Sequence, residues 1–275
     1  MRLIHAVVEL REYLSRQERI AFVPTMGNLH EGHLQLVRMA RERGACVVVS
    51  IFVNPLQFGP NEDFDKYPRT LEADCTKLQG LADVVFAPSV DEMYPEPQTL
   101  YVELPSIANE LCGAFRPGHF RGMATVVLKL FNLVQPDIAI FGKKDYQQLA
   151  IIRLMVTQFN LQIEIVGAET SRADDGLALS SRNQYLSLGE RTEAASLYRT
   201  LNEVAKDLQA GAEALAPIEL KARFNLEQRG WQVEYVSVRS QNGLAIPSQN
   251  EQKWVVVAAA RLGKTRLIDN LEVCL

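Results

Sequence analysis

Residues 46–53 read Cys-Val-Val-Val-Ser-Ile-Phe-Val, an apolar run with almost no alternation. A strand with one wet face alternates apolar and polar residues. A strand apolar at nearly every position must be covered on both faces, which calls for a parallel sheet with crossover helices on each side. That requirement organises the first half of the chain. Helical spacing over residues 5–18 (Val7, Val8, Leu10, Leu14) predicts an opening helix, and residues 20–24 a short strand. Leu34, Leu36, Val37, Met39 and Ala40 then predict a helix leading into the 46–53 run. Further helices are expected near 69–80, 105–112, 122–134 and 145–158, with strands at 83–86, 137–141 and 162–166. Strands alternating with helices specify an α/β fold, a Rossmann-like doubly wound parallel sheet.

Past residue 186 the pattern changes. Ser187 and Glu190 have the spacing of a capping box at the start of a long helix, a second helix follows Ala216-Pro217, and strands at 232–238, 253–259 and 265–271 come in succession. That order predicts a smaller C-terminal α+β domain. A chain of 275 residues is long for one core. The expected division is residues 1–170 and residues 171–275.

Residues 24–33, Pro-Thr-Met-Gly-Asn-Leu-His-Glu-Gly-His, hold two of the four histidines where a strand gives way to a helix. Gly27 allows a sharp turn, and the first helical turn should present unpaired N–H groups and the positive end of its dipole at the carboxyl edge of the sheet. His30 and His33 lie on one face of that turn, with Gly32 between them leaving room for a ligand. Imidazole donors beside helix N–H groups suit a polyphosphate. The competing readings are a structural surface pair or part of a metal site. A structural zinc needs two further ligands, and neither the cysteines nor His5 and His119 supply a suitable spacing. The position after a strand and before a helix favours phosphate.

Three more segments leave predicted strands or the domain boundary with polar groups. Asn54 and Gln57, in 52–58, would hang over the crevice; 142–148 offers Lys144, Asp145, Gln147 and Gln148; and 179–183, Leu-Ser-Ser-Arg-Asn, offers two hydroxyls and a guanidinium suited to phosphate oxygens. Each alone reads equally well as a turn, cap or linker, but together they point to one ligand site. Residues 115–122, Phe-Arg-Pro-Gly-His-Phe-Arg-Gly, read either as a loop closing over an anion or as a solvated loop. Residues 258–265 match a relaxed phosphate loop, yet the chain beyond them has the pattern of a strand and not of the helix that mechanism requires, so a Gly-Lys hairpin turn is predicted.

Net charge is −4 with Lys and Arg dispersed, which disfavours a nucleic-acid footprint. No apolar stretch approaches the ~18 residues of a membrane span, and acidic residues interrupt the N-terminus before a signal-peptide core could form. Cys46, Cys75, Cys112 and Cys274 show no CxxC spacing and read as reduced thiols. A cytoplasmic chain is expected.

Residues 24–33, 52–58, 67–70 (Tyr-Pro-Arg-Thr), 116–122, 133–148 and 175–183 resemble, in order, signatures of the pantothenate synthetase (pantoate-beta-alanine ligase) family of the HxGH nucleotidylyltransferase superfamily. The resemblance covers essentially the whole chain. It implies a two-step ligase: pantoate attacks ATP, accompanied by Mg²⁺, to give a pantoyl adenylate and pyrophosphate, and β-alanine then displaces AMP. It implies an ATP segment at Met26, Gly27, Asn28, Leu29, His30, Glu31, Gly32 and His33, with His33 catalytic and His30 its partner on the phosphates. Gly142, Lys143, Lys144 and Asp145 match a second ATP segment. Leu179, Ser180, Ser181 and Arg182 match a third, resembling the mobile KMSKS loop of related synthetases. Ser171 falls where relatives contact the nucleotide through backbone. Gln57 and Gln148 match the glutamines that hold pantoate, Gln57 also where β-alanine approaches, and Met26 lines the same pocket. Lys143 stands where many members have Glu, and Ser171 where many have an apolar residue. A homodimer and a C-terminal lid are further implications; metal ligands are not assigned. Two other readings compete. An adenylyltransferase acting on a phosphate monoester would want a cationic pocket, where Gln57 and Gln148 are neutral. A regulatory or RNA-binding protein that kept only the fold fits poorly with the acidic balance and the intact polar set.

Overall fold

The computed structural model describes residues 1–60, 62, 64–211, 214–248 and 251–275. Its first strand escapes the sequence pattern: β1 (Arg2–Ile4) precedes the helix expected over 5–18, which forms as the shorter α1 (Val7–Leu14). β1 lies at a sheet edge with only Ile4 buried, too short for any alternation to register. From there the expected alternation holds, as β2 (Ile20–Thr25), α2 (Glu31–Arg41), β3 (Cys46–Ile51), α3 (Leu71–Leu78) and β4 (Val84–Phe86). After α4 (Val90–Met93), α5 (Cys112–Phe115) and α6 (His119–Val134) come β5 (Ile138–Gly142), α7 (Tyr146–Gln158) and β6 (Glu164–Ala168). The described chain divides into two units, Met1–Gly142 with Ile151–Ala168, and Lys143–Ala150 with Glu169–Leu275.

In the first unit six parallel strands run in the order β1-β4-β3-β2-β5-β6. Ala21 and Val23 of β2 share one core with Val47 and Val49 of β3 and with Val37 and Ala40 of α2. Phe22, between them, turns to the opposite face and meets Phe131 of α6 edge-on, with ring centroids 6.4 Å apart. Helices therefore cover both faces, as the unalternating run at 46–53 demands. The chain travels outward from β2 through β3 to β4, and α6 then leads back to β5 on the other side of β2. The carboxyl ends of β2 and β5 flank the topological switch point, the usual ligand crevice of such sheets.

The helix expected at 122–134 begins earlier, at His119, and the one expected near 105–112 is a 3-10 turn, Ser106–Asn109, followed by the four-residue α5. Gly122, in the first turn of α6, is pressed onto the chain at Leu56: a Cβ there would overlap the Leu56 carbonyl oxygen. Backbone cannot retreat as a flexible side chain can. Gly122→Ala should therefore cost at least ~3 kcal/mol, the upper end for overpacking, measurable as a lower urea midpoint; an unchanged midpoint would refute this close approach.

The second unit carries α8 (Leu188–Ala194), α9 (Ser196–Gln209) and α10 (Leu215–Glu227) against an antiparallel sheet of β7 (Trp231–Ser240), β8 (Lys253–Leu262) and β9 (Thr265–Cys274). The capping box forms as expected, with Ser187 Oγ accepting from Glu190 N and Glu190 returning to Ser187 N. The single long helix expected after it is interrupted at Ala195, giving α8 and α9. Leu197, Leu201, Val204 and Leu208 of α9 pack with Val236, Val238 and Val256 of the sheet. Leu262 pairs with Thr265, so Gly263 and Lys264 make a two-residue hairpin turn, Gly263 at φ +57°. The phosphate-loop look-alike is a β-turn. All four cysteines are free thiols, and burial pushes Cys46 up to about 11.

Candidate active site

Between β2 and α2 the chain is held by buried polar contacts. Gly27 adopts φ +81°, and a Cβ there would sit 2.9 Å from Ile51 Cγ2 and 3.1 Å from Asp74 Oδ2, so both conformation and space require glycine. Asp74, a fully buried carboxylate on α3, accepts from Asn28 N and Leu29 N at 2.8 Å each and from Thr70 Oγ1 at 3.0 Å. Lys77, one turn along, donates to Leu29 O at 2.6 Å. The loop thus arrives at His30 with Asn28 N and both backbone groups of Leu29 satisfied.

His30 is the N-cap of α2. Its Nδ1 accepts from Gly32 N at 3.2 Å, while His33 Nδ1 accepts from His30 N at 3.3 Å. This reciprocal arrangement, normally made by Ser and Glu, corrects one expectation: the N–H groups of His30 and Gly32 are capped by the imidazoles and not left for a ligand. It also sets the tautomers. An imidazole accepting at Nδ1 is neutral and carries its hydrogen on Nε2, so each ring's donor is Nε2–H. The rings lie 4.1 Å apart, tilted by 39°.

Gln57 closes a 3-10 turn, Pro55–Gln57, beyond β3. Asn54 and Gln57 are both buried. Asn54 braces the turn, accepting from Tyr94 Oη at 2.8 Å and donating from Nδ2 to Gly122 O and Gln57 Oε1 at 3.2 Å each. Gln57 Nε2 faces Met26 Sδ at 3.0 Å, a weak acceptor. Met26 and Gly27 also border an apolar cavity of about 300 Å³ walled by Ile51, Phe52, Phe64 and Leu71.

Residues 115–122 are not a single loop, because Phe115 ends α5. His119 begins α6, and Arg116 is committed to Glu62, with Nε and Nη2 donating at 2.7 and 2.6 Å. Burial pushes the Glu62 carboxyl up, but the Arg116 guanidinium outweighs it and holds the group below its ordinary range.

Of the remaining candidates, Gly142 ends β5, next to β2 in the sheet. The others belong to the second unit. Lys143, Lys144 and Asp145 form a 3-10 turn, and Gln148 lies half-buried in the first turn of α7. Lys143 Nζ donates to Glu169 and Glu272 at 2.5 and 2.7 Å. Burial pushes the Lys143 ammonium down, and those two carboxylates overcome it and hold it above the ordinary lysine value. Ser171 O accepts from Leu179 N at 2.9 Å, bringing those two candidates together, and Ser180 Oγ accepts from Arg182 N at 3.2 Å to cap the turn Ser181–Tyr185.

Adjacent residues of β9 support both groups. Asn270 Nδ2 donates to Lys143 O and Lys144 O at 2.9 Å each, and Asp269 takes a bidentate pair from Arg172 at 2.7 and 2.9 Å. Asp74, Asp269 and Asn270 were missed in the sequence. The available signal was an Asp-Asn pair set between apolar residues in mid-strand, and an acidic residue where α3 faces the core.

Among the described residues no group of three His, Cys, Asp or Glu side chains could hold a metal, and no helix is long and apolar enough to cross a membrane. Residues 2–272 match the family described as pantoate-beta-alanine ligase. The pantothenate synthetase of Chromobacterium violaceum is 59% identical, over 99% of this chain and 99% of its own. That of Methylobacillus flagellatus is 58% identical, over 99% and 98%. A crystal structure of pantothenate synthetase from Thermus thermophilus superposes with a TM-score of 0.94 at 45% identity, covering all of both chains. One of pantoate-beta-alanine ligase from Francisella tularensis, complexed with beta-gamma ATP and beta-alanine, gives 0.80 at 35%, over 98% of this chain and 97% of that one. Matched by the family model over residues 2–272 and by relatives at 58–59% identity over nearly its whole length, the chain belongs to the pantoate-beta-alanine ligase family.

Proposed function

We propose that this protein is an ATP-dependent ligase that joins pantoate to β-alanine through a pantoyl adenylate, releasing pyrophosphate and then AMP. The observation that carries the reading is the family match over residues 2–272, which spans every candidate segment. In the first step a pantoate carboxylate oxygen bonds to the α-phosphorus of ATP, and the bond to the bridging oxygen breaks, pyrophosphate leaving with the electron pair. In the second the amine of β-alanine attacks the activated carbonyl carbon; a C–N bond forms, the C–O bond to AMP breaks, and the nitrogen loses a proton. Activation is needed because a free carboxylate has no good leaving group.

His33 and His30 act as neutral Nε2–H donors to phosphate oxygens as charge develops, a role that preorganised donors perform without reorientation. Met26 to His33, Gly142 to Asp145, Ser171 and Leu179 to Arg182 bind ATP. Gln57 and Gln148 bind pantoate as neutral amides. Mg²⁺ is implied by the resemblance as the companion of ATP, and bound to the phosphates it would neutralise their charge. The donor set suits a metal carried on phosphates and waters and not a protein cage, since no described cluster of three carboxylate, histidine or cysteine side chains exists. The sequence pattern gives residues 1–170 and 171–275 as the two domains and the cytoplasm as compartment, and the family reading adds ATP and pantoate binding to the first domain, a lid role to the second, and a homodimer.

The test is to mix the protein with Mg-ATP and pantoate, omit β-alanine, and follow pyrophosphate. A burst is expected, then AMP once β-alanine is added. Turnover of a phosphorylated acceptor instead of pantoate would replace the ligase with an adenylyltransferase.

A further inference from the structure

The first turn of α6 carries a chain of contacts that the proposed chemistry leaves unused. Glu62 holds Arg116 through two hydrogen bonds, Arg116 Nη1 lies 3.0 Å from His119 Nε2, and His119 Nδ1 lies 2.8 Å from Gln57 O. A guanidinium only donates. His119 Nε2 is therefore the acceptor, its ring hydrogen resides on Nδ1, and that hydrogen is given to the Gln57 carbonyl. The Glu62–Arg116 pair thus dictates the tautomer, and the tautomer dictates the bond to the Gln57 backbone.

The Gln57 side chain is fixed from the other direction. Oε1 accepts from Asn54 Nδ2, which leaves Nε2 to donate, with a thioether as partner. A donor so poorly matched gains by exchanging sulfur for an oxygen. Beneath it, Gly122 lies against the Leu56 carbonyl with no room for a Cβ, so the turn cannot sink toward α6.

We propose that His119 is a positioning residue: held by Arg116 and Glu62, it anchors the backbone of Gln57 and so aims Gln57 Nε2–H at an oxygen of the hydroxy-acid substrate. The identity of that substrate rests on the ligase reading. A misplacement of ~1 Å at such a group can cost up to about 10²-fold.

Pantoate-dependent pyrophosphate release by the full chain tests this. His119→Ala should raise the KM for pantoate about tenfold, one hydrogen bond's worth, and leave the KM for ATP within about twofold. His119→Asn, whose amide can still donate to the Gln57 carbonyl, should recover most of that loss. A His119→Ala protein with unchanged pantoate KM, or with ATP and pantoate affected equally, would overturn the proposal. Should His119→Ala not fold, Glu62→Gln decides: a smaller rise confined to pantoate supports the chain of contacts, and no change refutes it. If the unaltered protein releases no pyrophosphate with pantoate, the ligase reading itself falls, and this inference with it.

Discussion

Replacing His33 by alanine is expected to slow pyrophosphate release from ATP and pantoate by roughly 10² to 10⁴, the range for losing a positioned polar group in the transition state. The fold should survive. His33 Nδ1 accepts one backbone hydrogen bond, from His30 N, and loss of one capping contact costs ~1 kcal/mol. Single-turnover pyrophosphate release and a thermal melt on the same sample separate the two effects. A variant that turned over normally would make the histidine a cap and nothing more, and one that unfolded would move it into the structural frame. His33→Gln refines the result. Recovery of rate by an amide N–H identifies a hydrogen-bond donor, whereas a rate as low as that of alanine identifies a group that must carry a proton.

Asp74→Asn should have the larger effect on stability, on the order of 3 kcal/mol. The carboxylate is fully buried and faces three donors, Asn28 N, Leu29 N and Thr70 Oγ1. An amide of the same shape has one oxygen, so in either orientation a backbone N–H confronts an NH₂ group. Each hydrogen bond to a charged acceptor contributes about 1.5–3 kcal/mol, and a buried donor left unpaired costs about 1–3. At 2–4 °C per kcal/mol for a chain of this size, the melting temperature should fall by roughly 6–12 °C. Activity should fall as well, because the loop that delivers His30 would lose its brace. A variant that melts with the parent would show that Lys77 and the Gly27 turn hold this loop unaided. The two substitutions thus differ in kind: His33→Ala removes chemistry from a standing fold, and Asp74→Asn loosens the fold beneath intact chemistry.

Legibility in the sequence depends on the range of the interaction. Periodicity located β2, β3 and α9, because covering two faces of a strand or one stripe of a helix leaves a local imprint. It could not find β1, whose three residues are too few, or the interruption at Ala195, where the chain stays nearly helical with ψ −16°. The capping box at Ser187–Glu190 was readable because its partners are three residues apart. The equivalent box at His30–His33 has the same spacing and went unread, because imidazoles rarely take those two parts and the pair was matched to a ligand instead.

The sequence by itself determined the two-sided sheet, the turn at Gly27, the placement of paired histidines after a strand and the reading of 258–265 as a hairpin. Each depends on residue types within a few positions of one another. Tertiary structure alone decided what those groups do. Asp74 reaches Asn28 across 46 positions and His119 reaches Gln57 across 62, so the brace on the histidine loop and the anchor on the Gln57 backbone depend on which strands become neighbours. Hydrogen-bond partners of that kind leave no periodic trace, because strand order and not sequence spacing brings them within 3 Å.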